Sequence, residues 1–158
     1  MSKIPDEWKL TTFNEVVTYY KGGVPFKKLE YSKKGIPVLA KGDIKPFGVI
    51  EHSGTRFIDP LLVNKNNFPL TTEGDLLMTS RDLTQSADVL GLVSQIPSDQ
   101  PYLVNQGANI LKIDTKKIDI WFFIYWCNGP IYRKYIKSIF VGSTQIHIRI
   151  SDFLNSPL

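Results

Sequence analysis

Short apolar runs alternate with turn-forming residues through the middle of the chain. Segments rich in Val, Ile and Leu are separated by Gly, Pro, Asn and Asp, a pattern typical of short strands. In the last predicted strand, at residues 144–150, Ile146, Ile148 and Ile150 alternate with polar side chains, which indicates one buried face. The other predicted strands are residues 36–39, 48–50, 55–58, 75–79, 89–96 and 109–113.

Helical patterns lie towards the two ends. Residues 11–20 place apolar side chains on one side, and Glu15 follows Thr12 at capping-box spacing. Residues 118–128 form the most apolar run, and Pro130 suits the first turn of a helix over 131–138. A last helix is predicted to open at residues 151–154. The fold class is therefore α+β: one mixed domain over 1–158, with clustered short strands and helices near the N- and C-terminal ends.

Composition narrows the function classes. The 158 residues are 42% hydrophobic and include nine Phe, seven Tyr and three Trp, which excludes a disordered chain. No apolar run approaches the roughly 20 residues of a membrane-spanning helix, so no membrane partner is expected. One cysteine, Cys127, excludes a disulfide framework and indicates a reducing, cytoplasmic location. With only two histidines, a zinc site of the usual Cys/His type is also excluded, and no metal ligand is predicted.

The net charge of +4 is unevenly distributed. Residues 129–150 contain Arg133, Lys134 and Lys137 and no acidic residue, and a second lysine-rich segment includes Lys27 and Lys28. Two basic segments could form one surface that binds a polyanion, or they could be two separate solvated surfaces.

Common catalytic motifs are absent, including phosphate loops, dinucleotide-binding glycine motifs and the nucleophile elbow. An acid-x-Lys spacing typical of metal-dependent nucleases occurs at Glu7–Lys9 and again at Asp43–Lys45, with Asp6 nearby. A nuclease would need several carboxylates around one ion. A small nuclease using Asp43 and Lys45 is retained as an alternative function.

An ordered series of short motifs runs through nearly the whole chain. It consists of Pro5-Asp6-Glu7-Trp8-Lys9-Leu10, Lys21-Gly22-Gly23-Val24-Pro25, Gly35-Ile36-Pro37, Gly42-Asp43-Ile44, Gly74-Asp75-Leu76-Leu77 and Gly142-Ser143-Thr144-Gln145. In this order the motifs resemble the target recognition domain of the DNA specificity subunit of Type I restriction–modification systems.

The resemblance implies a non-catalytic, sequence-specific double-stranded DNA-binding domain. Such a domain would recognise one half of a bipartite target and direct methylation and restriction subunits to it. It would bind no cofactor itself, because S-adenosylmethionine, ATP and Mg²⁺ serve the partner subunits. Members of this family usually carry two such domains and long coiled-coil helices. Because no such helix is evident after about residue 155, we expect a half-length or truncated subunit that could pair with a second copy of itself. A truncated protein acting only as a protein-interaction module is a further alternative.

The residues after the predicted strand 75–79 are the first candidates for base reading. Arg81 lies beside Ser80 and is followed by Gln85; arginine can bind guanine, and glutamine adenine, through two hydrogen bonds. Alternatively, Arg81 forms an ion pair with Asp82 or Asp88 on an ordinary surface loop.

Other candidate DNA contacts are spread along the chain. Gln106 could read a base or simply form a turn, and Ser143, Thr144 and Gln145 could bind a phosphate or shape a turn. His147, on the polar face of the last strand, is either an ordinary exposed residue or a phosphate or base contact. Lysines and arginines outside the Arg81 loop suit phosphates better than bases, and the predicted phosphate contacts are Lys27, Lys28, Arg133, Lys134 and Lys137.

Overall fold

The computed structural model describes residues 8–97 and 99–158. The helices are α1 (Phe13–Val16), α2 (Pro60–Asn66), α3 (Ile120–Asn128), α4 (Pro130–Ile139) and α5 (Ile150–Leu154). The strands are β1 (Val17–Gly22), β2 (Tyr31–Ser32), β3 (Ile36–Leu39), β4 (Ile44–Lys45), β5 (Val49–Ile50), β6 (Phe57–Ile58), β7 (Leu76–Thr79), β8 (Arg81–Asp82), β9 (Val93–Gln95), β10 (Leu103–Val104), β11 (Ala108–Ile113) and β12 (Ile146–His147). Single 3₁₀ turns form at Lys28–Glu30 and Lys41–Asp43.

The strands form two sheets and two short ribbons. The central sheet is antiparallel with the order β1-β11-β7-β9. The second sheet has the order β10-β3-β6-β2, and in it β10 runs parallel to β3. The ribbons pair β4 with β5 and β8 with β12. The α+β prediction is confirmed.

Helices α1, α3, α4 and α5 bury their apolar faces against one side of the central sheet, whereas Val63 of α2 packs against the second sheet. Phe13 lies at the middle of this core, with its ring 4.9 Å from that of Phe123, 5.3 Å from that of Tyr132 and 5.1 Å from that of Phe153. Leu76, Met78 and Leu111 supply the sheet side of the same cluster. Burial of this many large side chains, each contributing roughly 1.5–3 kcal/mol, fixes the sheet on which the connecting loops are mounted.

Local capping sets where two of the helices begin. The Asp119 carboxylate accepts a hydrogen bond from the Phe122 amide (2.9 Å) at the start of α3. At the start of α2, Asp59 accepts from the Leu61 amide (2.8 Å) and Pro60 occupies the first turn. Helix α2 lies in the middle of the chain, where only strands are predicted, although its Asp-Pro start is visible in the sequence. No helix among residues 8–97 and 99–158 is long and apolar enough to cross a membrane.

The predicted helix over residues 11–20 is wrong in its second half. The helix ends at Val16, and residues 17–22 form β1, which pairs with β11 at the edge of the central sheet. Val17, Thr18, Tyr19 and Tyr20 are β-branched or aromatic, so a strand suits them once β11 offers hydrogen-bonding partners.

Two predicted strands are too long. Only Ile146–His147 of the segment 144–150 is extended against another strand, and Ile150 begins α5 with 41% of its surface exposed. Only Val93–Gln95 of the segment 89–96 is strand, because a turn with Gly91 at φ +75° precedes it. In both cases the apolar pattern is real, but some of the buried residues, Ile148, Leu90 and Leu92, lie outside the strands.

Candidate nucleic-acid interface

The two-stranded ribbon of β8 and β12 has two faces. The side chains on one face point into the domain, and those on the other point outward. Asp82 faces Ile146 across the ribbon, and both are buried. Arg81 and His147 form the next pair, and since side chains alternate along a strand, both point outward. His147 is exposed and Arg81 is partly exposed. Strand pairing thus places an imidazole beside the arginine predicted to read bases.

The turn at Asn105–Gly107 lies directly against Arg81. The amides of Ser80 and Arg81 both donate to the Gly107 carbonyl, at 2.9 and 3.2 Å. Gly107 has φ +94°, and a Cβ placed on it would lie 3.7 Å from the Arg81 Cβ and 3.6 Å from the Lys41 Cδ. Gln106, which is exposed, is therefore next to Arg81, and Lys41 lies on the same side of the turn.

Ser80 is buried, with 8% of its surface exposed. Its backbone joins the Gly107 turn to the strand after β12, because its carbonyl also accepts from the Ile148 amide (3.2 Å). Its backbone positions Arg81 and its side chain is largely buried, which favours a positioning role over the predicted DNA contact.

The loop over residues 82–88 is held by the Asp82 carboxylate. This carboxylate accepts hydrogen bonds from the amide and hydroxyl of Thr84, each at 3.1 Å, and from the Val89 amide at 3.4 Å. Burial alone would raise the pKa of Asp82, but these hydrogen bonds outweigh it and the pKa lies below its usual value. Asp82 is fully engaged within the loop, and the Arg81 guanidinium forms no ion pair or hydrogen bond with any residue in the described ranges.

The loop over residues 142–145 joins the same surface. The Gln85 side-chain amide donates to the Ser143 carbonyl. Ser143, Thr144 and Gln145 are all exposed. Gly142 has φ +109°, and a Cβ there would stand 2.2 Å from the Gln145 carbonyl oxygen, so this tight turn requires glycine. We call the surface formed by Arg81, residues 82–88, Asn105–Gly107, residues 142–145 and His147 the Arg81 surface.

The three predicted phosphate contacts on helix α4, which are Arg133, Lys134 and Lys137, differ in their surroundings. The Arg133 guanidinium donates to the carbonyls of Ala87 (2.6 Å), Asp88 (3.0 Å) and Leu90. Burial lowers the pKa of Arg133, although nearby acidic groups oppose that effect. Its donors hold the end of the 82–88 loop, which favours a positioning role over the predicted phosphate contact.

Lys134 and Lys137 are both exposed. Lys137 forms an ion pair with Asp88 (3.2 Å), and the hydrogen bonds from Ser86 and Lys137 lower the pKa of Asp88. The Lys134 ammonium contacts no acceptor among the described residues. Helix α4 is thus joined to the Arg81 surface through contacts of Arg133 and Lys137 with residues 87–90.

Lys27 and Lys28 lie at an exposed turn that is attached to the Asn105–Gly107 turn. The Gln106 amide donates to the Val24 carbonyl (3.0 Å), and the Asn105 side chain donates to the Tyr31 hydroxyl (3.1 Å). The two lysines therefore follow a segment that is bound to the edge of the Arg81 surface.

Within the described residues, Asp43 and Lys45 do not form the alternative nuclease site. The Asp43 carboxylate is buried and accepts from Arg56 (2.7 Å) and the Ala40 amide (2.8 Å), while Lys45 bonds the Gly42 carbonyl. No group of three or more His, Cys, Asp or Glu residues suited to a metal ion occurs in 8–97 and 99–158. Asp6 and Glu7 of the second candidate lie outside the described residues.

The sequence does not predict Lys41 as a DNA contact. For His147 it leaves two alternatives open, an ordinary exposed residue and a phosphate or base contact. Lys41 reaches the surface only through the fold of the Gly107 turn, and the sequence marks it only as the last lysine of the basic segment over residues 21–41. His147 alternates with buried isoleucines in the sequence, which does identify its outward orientation, but its partner Arg81 is 66 positions away and the pairing appears only in the fold.

Comparisons with known proteins find similarity over nearly the whole chain. The profile of the Type I restriction modification DNA specificity domain matches residues 5–158. The specificity subunit of the Type I restriction enzyme MjaVIII from Methanocaldococcus jannaschii is 26% identical over 156 residues, which are 98% of this chain and 36% of that protein. The chain thus spans about a third of the length of this relative.

Solved structures share the fold. The HsdS subunit from Thermoanaerobacter tengcongensis superposes with a TM-score of 0.67 at 15% identity, over 99% of this chain and 34% of that one. A chain from a structure addressing complex assembly and conformational transition of the type I R-M system gives a TM-score of 0.66 at 15% identity, over 99% and 35%. At this identity the likeness establishes the fold alone. Together with the profile match over nearly its whole length, it shows that the chain belongs to the family of Type I restriction–modification DNA specificity domains, whose role is target specificity and not catalysis.

Proposed function

We propose that this domain reads a short sequence in double-stranded DNA with the Arg81 surface, as one half of a bipartite target. The observation that carries the proposal is the Arg81 guanidinium, unpartnered among the described residues, at the junction of three segments distant in sequence. Its neighbouring acidic side chains are engaged elsewhere, since Asp82 faces inward and Asp88 is paired with Lys137. A duplex approaching Arg81 therefore meets little opposing charge.

The side chains on this surface suit the two tasks of sequence-specific binding. Arg81 and Gln106 can each present two hydrogen-bonding groups to a base edge, guanine for arginine and adenine for glutamine. Phosphates would be bound by lysines around the surface, and by the backbone and hydroxyls of residues 143–145. These lysines are Lys27, Lys28 and Lys134, which are exposed, and Lys41, which is partly exposed. Four phosphate contacts would give a slope of about −4 for log affinity against log salt concentration.

Selection from a pool of random-sequence duplexes tests this function. Bound duplexes are recovered over several rounds, and their affinities are then measured by fluorescence anisotropy at two salt concentrations. We expect one short motif to be enriched, with a salt slope of about −4. Equal affinity for all sequences would contradict specific reading, and nicking of a plasmid in Mg²⁺ that Asp43→Ala abolishes would support the nuclease instead.

We further propose that methylation and restriction subunits act together with this domain, and that any S-adenosylmethionine, ATP and Mg²⁺ bind to those subunits. Support comes from the named relative, which is the specificity subunit of a Type I restriction enzyme. A second copy of the chain could supply the other half of a bipartite target. Analytical ultracentrifugation, with and without the methylation subunit, tests both pairings: a monomer that never binds that subunit would contradict them.

A further inference from the structure

Leu83 is the most exposed large apolar side chain on the Arg81 surface, with 65% of its surface accessible. It lies two positions after Arg81, the proposed base-reading residue, in the loop over residues 82–88. Exposed leucines are common on protein surfaces, so exposure alone does not single it out. Leu83 is singled out by the hydrogen bonds that fix its loop.

Three sets of hydrogen bonds fix the loop on which Leu83 stands. The Asp82 carboxylate binds the Thr84 and Val89 amides from inside. Arg133 holds the carbonyls of Ala87, Asp88 and Leu90 at its far end, and Gln85 is bound to the Ser143 carbonyl. The backbone on both sides of Leu83 is thus held in place before any ligand binds, which lowers the entropy cost of a contact made by its side chain.

The electrostatic surroundings favour an apolar contact with a polyanion. The carboxylate next to Leu83 in sequence, that of Asp82, is buried, and the exposed Asp88 is paired with Lys137. The major groove of DNA offers one apolar group at base edges, the 5-methyl group of thymine, and it lies among the acceptors that arginine and glutamine bind.

We infer that Leu83 contacts the 5-methyl group of a thymine in the major groove and selects for thymine at that position of the target. The inference rests on the proposed function, since it needs the Arg81 surface to face DNA. It adds an apolar specificity determinant to the hydrogen-bonding ones.

Replacing thymine by uracil removes only this methyl group and gives a direct test. Each thymine of the duplex selected by the unchanged protein is replaced in turn by uracil, and affinities are measured for the unchanged protein, for Leu83→Ala and for Leu61→Ala. Leu61 is a matched control because it is 77% exposed on α2. At one thymine we expect uracil to weaken binding by the unchanged protein and by Leu61→Ala about fourfold, the effect of one buried methyl-sized group. Leu83→Ala should bind both duplexes equally.

Several results would overturn the inference while leaving the proposed function intact. The first is a selected target without thymine, and the second is a set of uracil substitutions that never weaken DNA binding by the unchanged protein. The third is a loss of affinity in Leu83→Ala that is the same for duplexes with and without the methyl group. The second result uses no variant and so does not depend on folding of Leu83→Ala. Failure to select any sequence would overturn the proposed function, and the Leu83 contact with it.

Discussion

Arg133 and Lys134 are neighbours in sequence with opposite surroundings. Arg133 donates to three backbone carbonyls at the end of the 82–88 loop. Lys134 is exposed on the next position of α4. A guanidinium can satisfy several acceptors with its fixed planar donors, whereas an exposed ammonium remains free for a phosphate.

The two residues should therefore respond differently to loss of charge. Arg133→Gln should lower the free energy of unfolding by about 1–3 kcal/mol, because partly buried carbonyls lose their donors, and should leave the salt slope of DNA binding of the remaining folded protein unchanged. Lys134→Gln should leave stability unchanged and reduce the magnitude of that slope by about 0.9. Urea unfolding and anisotropy titrations at several salt concentrations measure both. The reverse assignment of the two effects would show that α4 presents Arg133 to DNA.

At the level of elements, the 82–88 loop depends on the ionised Asp82 carboxylate. The pKa of Asp82 is lower in the folded protein than the value of about 3.9 in an unfolded chain. The folded state therefore favours the ionised form. Its contribution to stability is fully present above the unfolded pKa and is lost as the pH falls through the lower, folded pKa.

Asp82→Asn should lower the free energy of unfolding at neutral pH. On acidification this free energy should fall less in the variant than in the unchanged protein. The asparagine oxygen can still accept from Thr84, but its amide group faces the Val89 amide as a second donor. We expect faster hydrogen exchange at Thr84 and Val89 in this variant, measured by mass spectrometry on overlapping peptides. An unchanged acid dependence of the unfolding free energy would show that Asp82 does not stabilise the loop through its charge.

The turn at Gly142 provides a second test at this level. At Gly142, an alanine would meet both a positive φ and a close approach to the Gln145 carbonyl. Gly54 is the matched control: its φ is also positive (+68°), but no atom of the described residues lies within 4 Å of the position that an alanine Cβ would take. Both substitutions should cost about 1–2 kcal/mol of stability for the backbone conformation. Gly142→Ala should in addition weaken specific DNA binding, since it displaces residues 143–145. Equal binding by the two variants would exclude that loop from the interface.

The elements and the site differ in how far the sequence predicts them. Buried strands such as Leu76–Thr79 follow from apolar runs bounded by turn residues, because burial on both sides leaves few alternatives. Helix α3 follows from the apolar run over residues 118–128, and the start of α4 follows from Pro130. Residues 17–20 could be helix or strand, and only pairing with β11 decides. Arg81 is predictable from its chemistry. The proximity of His147 and Lys41 to Arg81 is not predictable, because it results from strand pairing and from the Gly107 turn. The difference between Arg133 and Lys134 depends on carbonyls some 45 residues away in the sequence.

On the scale of the whole molecule, the side chains proposed to bind DNA are exposed or partly exposed neighbours of buried core residues, among them Ala87 in the 82–88 loop and Ile146 in β12. The helices and the central sheet enclose the aromatic cluster around Phe13. The short ribbon of β8 and β12 and the loops near it carry the polar and cationic groups. Exchange of loop residues could thus change the preferred DNA sequence with little effect on the core, in keeping with the specificity role of the family.

The central claim is that Arg81 reads a base, and the ratio of affinities for the selected duplex and a scrambled duplex tests it most directly. Measured at one salt concentration for the unchanged protein and for Arg81→Gln, this ratio should fall by about 5- to 150-fold in the variant, the loss expected for one bidentate contact worth about 1–3 kcal/mol. Affinity for the scrambled duplex should change far less. A ratio that stays the same in Arg81→Gln, with both affinities reduced equally, would contradict the account.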